Sequence, residues 1–178
     1  MKNYLQATLL SLVYLSLAAV TVSCVESSQP PPQVICGTRV DPDITRRLTV
    51  SGSDYHELDR VARAAAISAP CTLLSGKDPV LRLHFWWADG PADLRYMAAE
   101  AGSVSHVTGA RKINAPYEAF VGTDGALAAV PCKSRQGDHF ALTLQLPQAN
   151  PKDDSHRKDI ETFIRAYFPA TVKTLGCA

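Results

Sequence analysis

The chain has 178 residues, 46% of them hydrophobic and 20% charged, with 18 Lys+Arg against 17 Asp+Glu for a formal net charge of +1. That length holds one domain with a sizeable core and gives no reason to expect two. The near-balance of charge excludes a basic field for nucleic acid and an acidic tail, and the apolar content excludes a disordered chain.

No residue between Lys2 and Glu26 is charged, and residues 9–22 form a dense apolar run rich in Leu, Val and Ala. One positive residue, an apolar run and then the small Ser23 make the pattern of a secretory signal. Cys24 follows at once. The stretch Val20-Thr21-Val22-Ser23-Cys24 resembles the signal of bacterial lipoproteins. The resemblance implies a signal peptide of residues 1–23, a diacylglyceryl group on the Cys24 thiol, and cleavage that leaves Cys24 as the N-terminus. Two other readings stay open. The 23 uncharged residues 3–25 could span a bilayer uncleaved, or the protein could be secreted with Cys24 incidental. All three put the body of the protein outside the cytoplasm. Glu26-Ser27-Ser28-Gln29-Pro30-Pro31-Pro32-Gln33 completes a tether of residues 24–33, extended by its three prolines. Residues 34–178 form the extracytoplasmic domain.

Asp41-Pro42 opens a short helix to about Leu48, with Asp41 as N-cap and proline at the first helical position. A second helix is expected after Ser53, where Tyr55, Leu58, Val61, Ala62 and Ala65 share one face. A strand over 71–74, a turn at Ser75-Gly76-Lys77-Asp78 and a strand over 80–87 follow. In the latter, Leu81, Leu83, Phe85 and Trp87 alternate with Val80, Arg82, His84 and Trp86. Asp89-Gly90-Pro91 leads into a helix carrying Leu94, Met97, Ala98 and Ala101, stopped by Gly102. Residues 103–113 read as a loop or a weak strand. Strands over 117–121 and 126–132 make a hairpin around Gly122-Thr123-Asp124-Gly125, and Phe140, Leu142, Leu144 and Leu146 mark another strand. A last helix starts near Ser155, with Pro169 expected to kink or interrupt it. This mixture predicts a single α+β domain, an antiparallel sheet with helices packed on it.

Besides Cys24 there are Cys36, Cys71, Cys132 and Cys177, at spacings of 35, 61 and 45. An even number outside the cytoplasm reads as two disulfides, for which three connectivities exist. Zinc would ask for closer ligand pairs than any present. Cys71 and Cys132 each follow a proline at a strand edge, so the expected bridges are Cys71–Cys132 and Cys36–Cys177.

Catalytic motifs are missing. There is no phosphate-cradling glycine loop, no Gly-x-Ser-x-Gly elbow and no His-Glu-x-x-His, since Arg60 stands where His56-Glu57 would need its second histidine. Ser103, Ser105 and His106 read as a polar loop, and Asp153-Asp154 as helix-capping charge. One constellation carries chemistry. Arg82, His84 and Trp86 share a strand face, and His139 lies on the face of its own strand opposite Phe140. If the two strands are neighbours, these four residues form a surface for stacking and orienting a ligand. The competing expectation is a helix over that face, with Trp86 in a second core layer.

Taken whole, the chain resembles the small actinobacterial lipoproteins of unassigned function, by the Cys24 signal, the Pro/Ser tether, the remaining cysteines and phrases such as Phe163-Ile164-Arg165-Ala166-Tyr167-Phe168-Pro169. The resemblance implies a lipid-anchored protein at the outer face of the membrane and carries over no catalytic residue. The expected function is a non-enzymatic binding or accessory module of the cell envelope, without cofactor or metal, whose partner is an envelope protein or a small ligand. Two alternatives are a hydrolase or metal-dependent enzyme using His84 and His139, and a structural envelope protein with a protein partner.

Overall fold

The computed structural model describes residues 30–49, 54–59 and 61–177; residues 1–23 and Cys24 lie outside them. Pro31 is already buried, and the Gln33 carbonyl accepts the Val40 N–H at 2.9 Å, so the end of the expected tether belongs to the domain. Two short strands, β1 (Val34–Ile35) and β2 (Thr38–Arg39), pair with each other and lead into helix α1 (Pro42–Leu48). Asp41 caps α1 as expected, its carboxylate accepting the Asp43 N–H at 2.9 Å.

The remaining strands are β3 (Tyr55–Asp59), β4 (Ser68–Ser75), β5 (Asp78–Ala88), β6 (Arg111–Lys112), β7 (Glu118–Val121), β8 (Gly125–Pro131) and β9 (His139–Gln145), with helices α2 (Leu94–Ala99) and α3 (Arg157–Leu175). They form one seven-stranded sheet in the order β3-β4-β5-β9-β8-β7-β6, antiparallel throughout. The fold is α+β. The turn between β4 and β5 pairs Ser75 with Asp78 around Gly76-Lys77, and Gly76 takes a φ of +58°, a backbone that glycine adopts without steric cost.

Each long strand has two different faces. Leu81, Leu83, Phe85 and Trp87 of β5, with Phe140, Leu142 and Leu144 of β9, are buried in one cluster with Phe163, Ile164, Tyr167 and Phe168 of α3. On this face β8 contributes Ala126 and Ala128, small enough to let the helix lie close, with Val130 packed at the margin. On the opposite face a smaller cluster joins Leu94 and Ala98 of α2 to Val107, Phe120, Leu127 and Ala141. That second layer decides where a ligand can reach the sheet.

Three expectations about helices and strands fail. The segment 55–59, expected as a helix, is an edge strand paired with β4. Only Tyr55 is even half-buried, and Leu58 stays 51% exposed, so the apolar spacing of 55, 58 and 61 marks no helical core face. Strand β4 begins at Ser68 rather than Cys71; Pro70 pairs with His84, one position beyond the last β3–β4 pair among the described residues, and such sheet margins are where proline is tolerated. Helix α3 runs through Pro169 without interruption, because Tyr167, Phe168 and Thr171 on either side are buried and packing outweighs the lost backbone bond.

The cysteines form two disulfides, but not the expected ones. Cys36 bonds Cys71, with Cα atoms 6.1 Å apart, and Cys132 bonds Cys177, at 4.9 Å. The first staples the β1–β2 hairpin to β4, and the second ties the chain after α3 to the end of β8. Cys71 and Cys132 do not pair because β5 and β9 lie between their strands.

Candidate functional site: a ligand cleft on the sheet

Strands β5 and β9 are neighbours, so the condition for a shared surface is met. Their register sets Arg82 opposite Gln145, His84 opposite Thr143, Trp86 opposite Ala141 and Ala88 opposite His139. On the other side of β5, Thr72 pairs with Arg82, Pro70 with His84 and Ser68 with Trp86. All of these positions lie on the face that carries α2.

Register separates the four residues. Ala88, the partner of His139, is four positions beyond His84, which places the two histidines about 13 Å apart at the rise of a strand. Trp86 between them is half-buried and packs against the α2 cluster, in the second core layer. Arg82 and His84 remain together, at a cleft of about 410 Å³. His139 lines a different cleft, of about 600 Å³, with Tyr117 and Pro131. There its Nδ1 meets Asp138 Oδ1 at 2.6 Å, and the same oxygen accepts the Gly90 N–H at 2.6 Å. These two hydrogen bonds, that of His139 foremost, hold the Asp138 carboxyl below its usual range.

The Arg82–His84 cleft is built from three strands and one loop. Ser68 Oγ lies 2.6 Å from His84 Nε2. Burial pushes the His84 imidazole below its ordinary range, so the ring is neutral near pH 7. Its Nδ1 is buried with no hydrogen-bond partner among the described residues, as is Nε1 of Trp86; an orphaned buried group of this kind costs about 1–3 kcal/mol. Gln145 Nε2 donates to the His106 carbonyl at 3.1 Å, and Thr143 Oγ1 to Ser105 Oγ at 3.4 Å. These bonds pin loop 103–107 beside the sheet, where Val104 overhangs the cleft with 65% of its surface exposed. Ser103, Ser105 and His106 serve as loop structure, with the Ser105 N–H donating to Ser103 Oγ at 3.3 Å.

Ser68, Thr72, Thr143 and Gln145 escaped the sequence reading. The last two alternate with Leu142 and Leu144, and that alternation was the available signal; Ser68 was hidden by the misplaced start of β4. Elsewhere, His56 and Glu57 sit on β3, not on a helix. Glu57 accepts the Cys36 N–H at 2.7 Å. Among the described residues, the metal-like grouping is Cys36, Glu57 and Cys71, with ligand atoms within 4.8 Å of one another; both of its sulfurs are joined in a disulfide. No protein-family model, curated protein or solved structure matches the chain.

Proposed function

We propose that this is a lipid-anchored extracytoplasmic protein whose domain is a binding module, with the Arg82–His84 cleft as its ligand site. The observation that carries the binding reading is the convergence of a guanidinium, an imidazole and the hydroxyls of Ser68 and Thr72 on one concavity. Its volume falls in the range of about 300–1,000 Å³ typical of small-molecule sites. The export reading is supported by the apolar run ending at Cys24 and by two disulfides, which belong to oxidising compartments. Intact mass of the protein from host membranes tests the anchor. The expected chain begins at Cys24, carries a lipid-sized increment and shows four thiols only after reduction. An unmodified chain beginning at Met1, or thiols free without reduction, overturns it.

A second reading, hydrolysis, is favoured by the contact between Ser68 Oγ and His84 Nε2. The binding reading is stronger. Among the described residues no carboxylate orients the His84 ring, whose Nδ1 has no partner there, whereas a Ser–His pair works as a nucleophile when a third group fixes the imidazole. His139, about 13 Å away by strand rise, does not supply it. A serine-directed fluorophosphonate should leave Ser68 unlabelled; labelling of Ser68 that disappears in His84→Gln would move the protein to the hydrolases.

A further inference from the structure

We infer that the cleft between β4, β5 and β9 takes a small organic carboxylate, its acid group on the Arg82 guanidinium and its apolar body against Pro70 and Val104. This rests on the binding reading above and names the ligand class.

Charge is the first argument. Among the described residues, the cleft is lined by one guanidinium and by no carboxylate. Arg82 makes no ion pair or hydrogen bond among the described residues, unlike most arginines of the domain. Arg46 faces Asp43, Arg47 faces Asp159, Arg157 faces Asp154 and Arg165 faces Glu161. Arg63 is committed to the Gly37 carbonyl and to the hydroxyls of Thr38 and Thr174. A cation left unneutralised in a concavity focuses its field on an incoming anion. The planar fork of arginine matches the two oxygens of a carboxylate.

The polar groups still available have the same preference. Gln145 Nε2 and the Thr143 hydroxyl are already donating to loop 103–107. The hydroxyl of Thr72, directly across from Arg82, has no partner among the described residues and can give the second donor a carboxylate oxygen needs.

The apolar wall excludes an inorganic anion as the best fit. Val104 is held over the cleft with its branched side chain largely in water, and Pro70 faces it from β4. An acid with a short apolar body covers both and takes them out of water, which favours the complex.

Benzoate and benzamide, equal in shape and different in charge, test this on the full chain in lipid nanodiscs with its histidine rings labelled with ¹³C. The chain has five histidines, and the His84 signal is assigned from His84→Gln. Benzoate at pH 7.5 should move the His84 signal saturably, with benzamide at least about tenfold weaker. Arg82→Gln should weaken benzoate by about tenfold or more, the ordinary cost of a lost charged hydrogen bond, while the other four signals stay in place. Equal binding of benzamide, or full benzoate affinity in Arg82→Gln, overturns the carboxylate assignment and leaves the cleft as a ligand site. Movement of the His139 signal alone puts the acid in the other cleft and overturns the inference. If neither compound moves His84, the cleft reading falls with it.

Discussion

Phe140→Ala will destabilise the domain by about 3–5 kcal/mol, the range for truncating a fully buried aromatic. Phe140 is 0% exposed near the start of β9, the middle strand of the sheet. Its ring lies 6.4 Å from Phe85, 5.1 Å from Trp87 and 5.9 Å from Phe168 of α3, so one side chain joins two central strands to the long helix. Deleting it opens a cavity that Leu142 and Ala128, themselves locked in the sheet ladder, cannot fill. Urea unfolding should show the midpoint falling with an unchanged slope, the signature of lost stability without a changed unfolded state. Phe140→Leu keeps most of the volume and should cost less than half as much. A loss below about 1 kcal/mol for the alanine variant would mean that α3 does not pack on the sheet as described.

The parts of this fold legible in the sequence are the inner strands, whose two faces carry different side chains, and the hairpin that a turn sequence marks. Strands β5 and β9 alternate because each lies between neighbours and has two unlike faces, and the β7–β8 hairpin is marked by Gly122-Thr123-Asp124-Gly125. Edge position hid β3. With one neighbour and nearly no buried side chain, it has no face to write a period of two, and the alanines that follow it supply a helical spacing by composition alone. Pro169 misled for the opposite reason. Its local penalty is real, but residues buried on both sides of it are held by the core, and tertiary packing overrode propensity.

The candidate site was legible to the same depth. Alternation within one strand placed Arg82 and His84 on one face, and both line the cleft. What lies beside a residue on the next strand depends on register, which neither strand encodes by itself. Register moved His139 to another cleft and brought up Thr143 and Gln145. Trp86 obeyed its size: a large apolar ring on a sheet face draws a cover, and α2 supplies it.

Disulfide connectivity obeys the same logic of sheet order, and its energetic consequence is the other large effect. Removing Cys132–Cys177 with a double alanine substitution should cost about 4 kcal/mol, and removing Cys36–Cys71 nearly as much, from the loop-closure entropy returned to the unfolded chain. The separations of 45 and 35 residues make the two effects similar in size. They share no residue and should add within a few tenths of a kcal/mol. Losing both would remove about 8 kcal/mol from a domain whose expected stability is about 5–15 kcal/mol. The reduced protein should therefore be marginal or unfolded at 37 °C, with the oxidised form melting far above it; equal melting temperatures would show that the core alone suffices. Proteolysis without reduction should yield peptides joining Cys36 to Cys71 and Cys132 to Cys177, and a Cys71–Cys132 peptide would contradict the sheet order itself. A domain that needs its staples is competent only where disulfides persist, so its stability ties it to an oxidising environment.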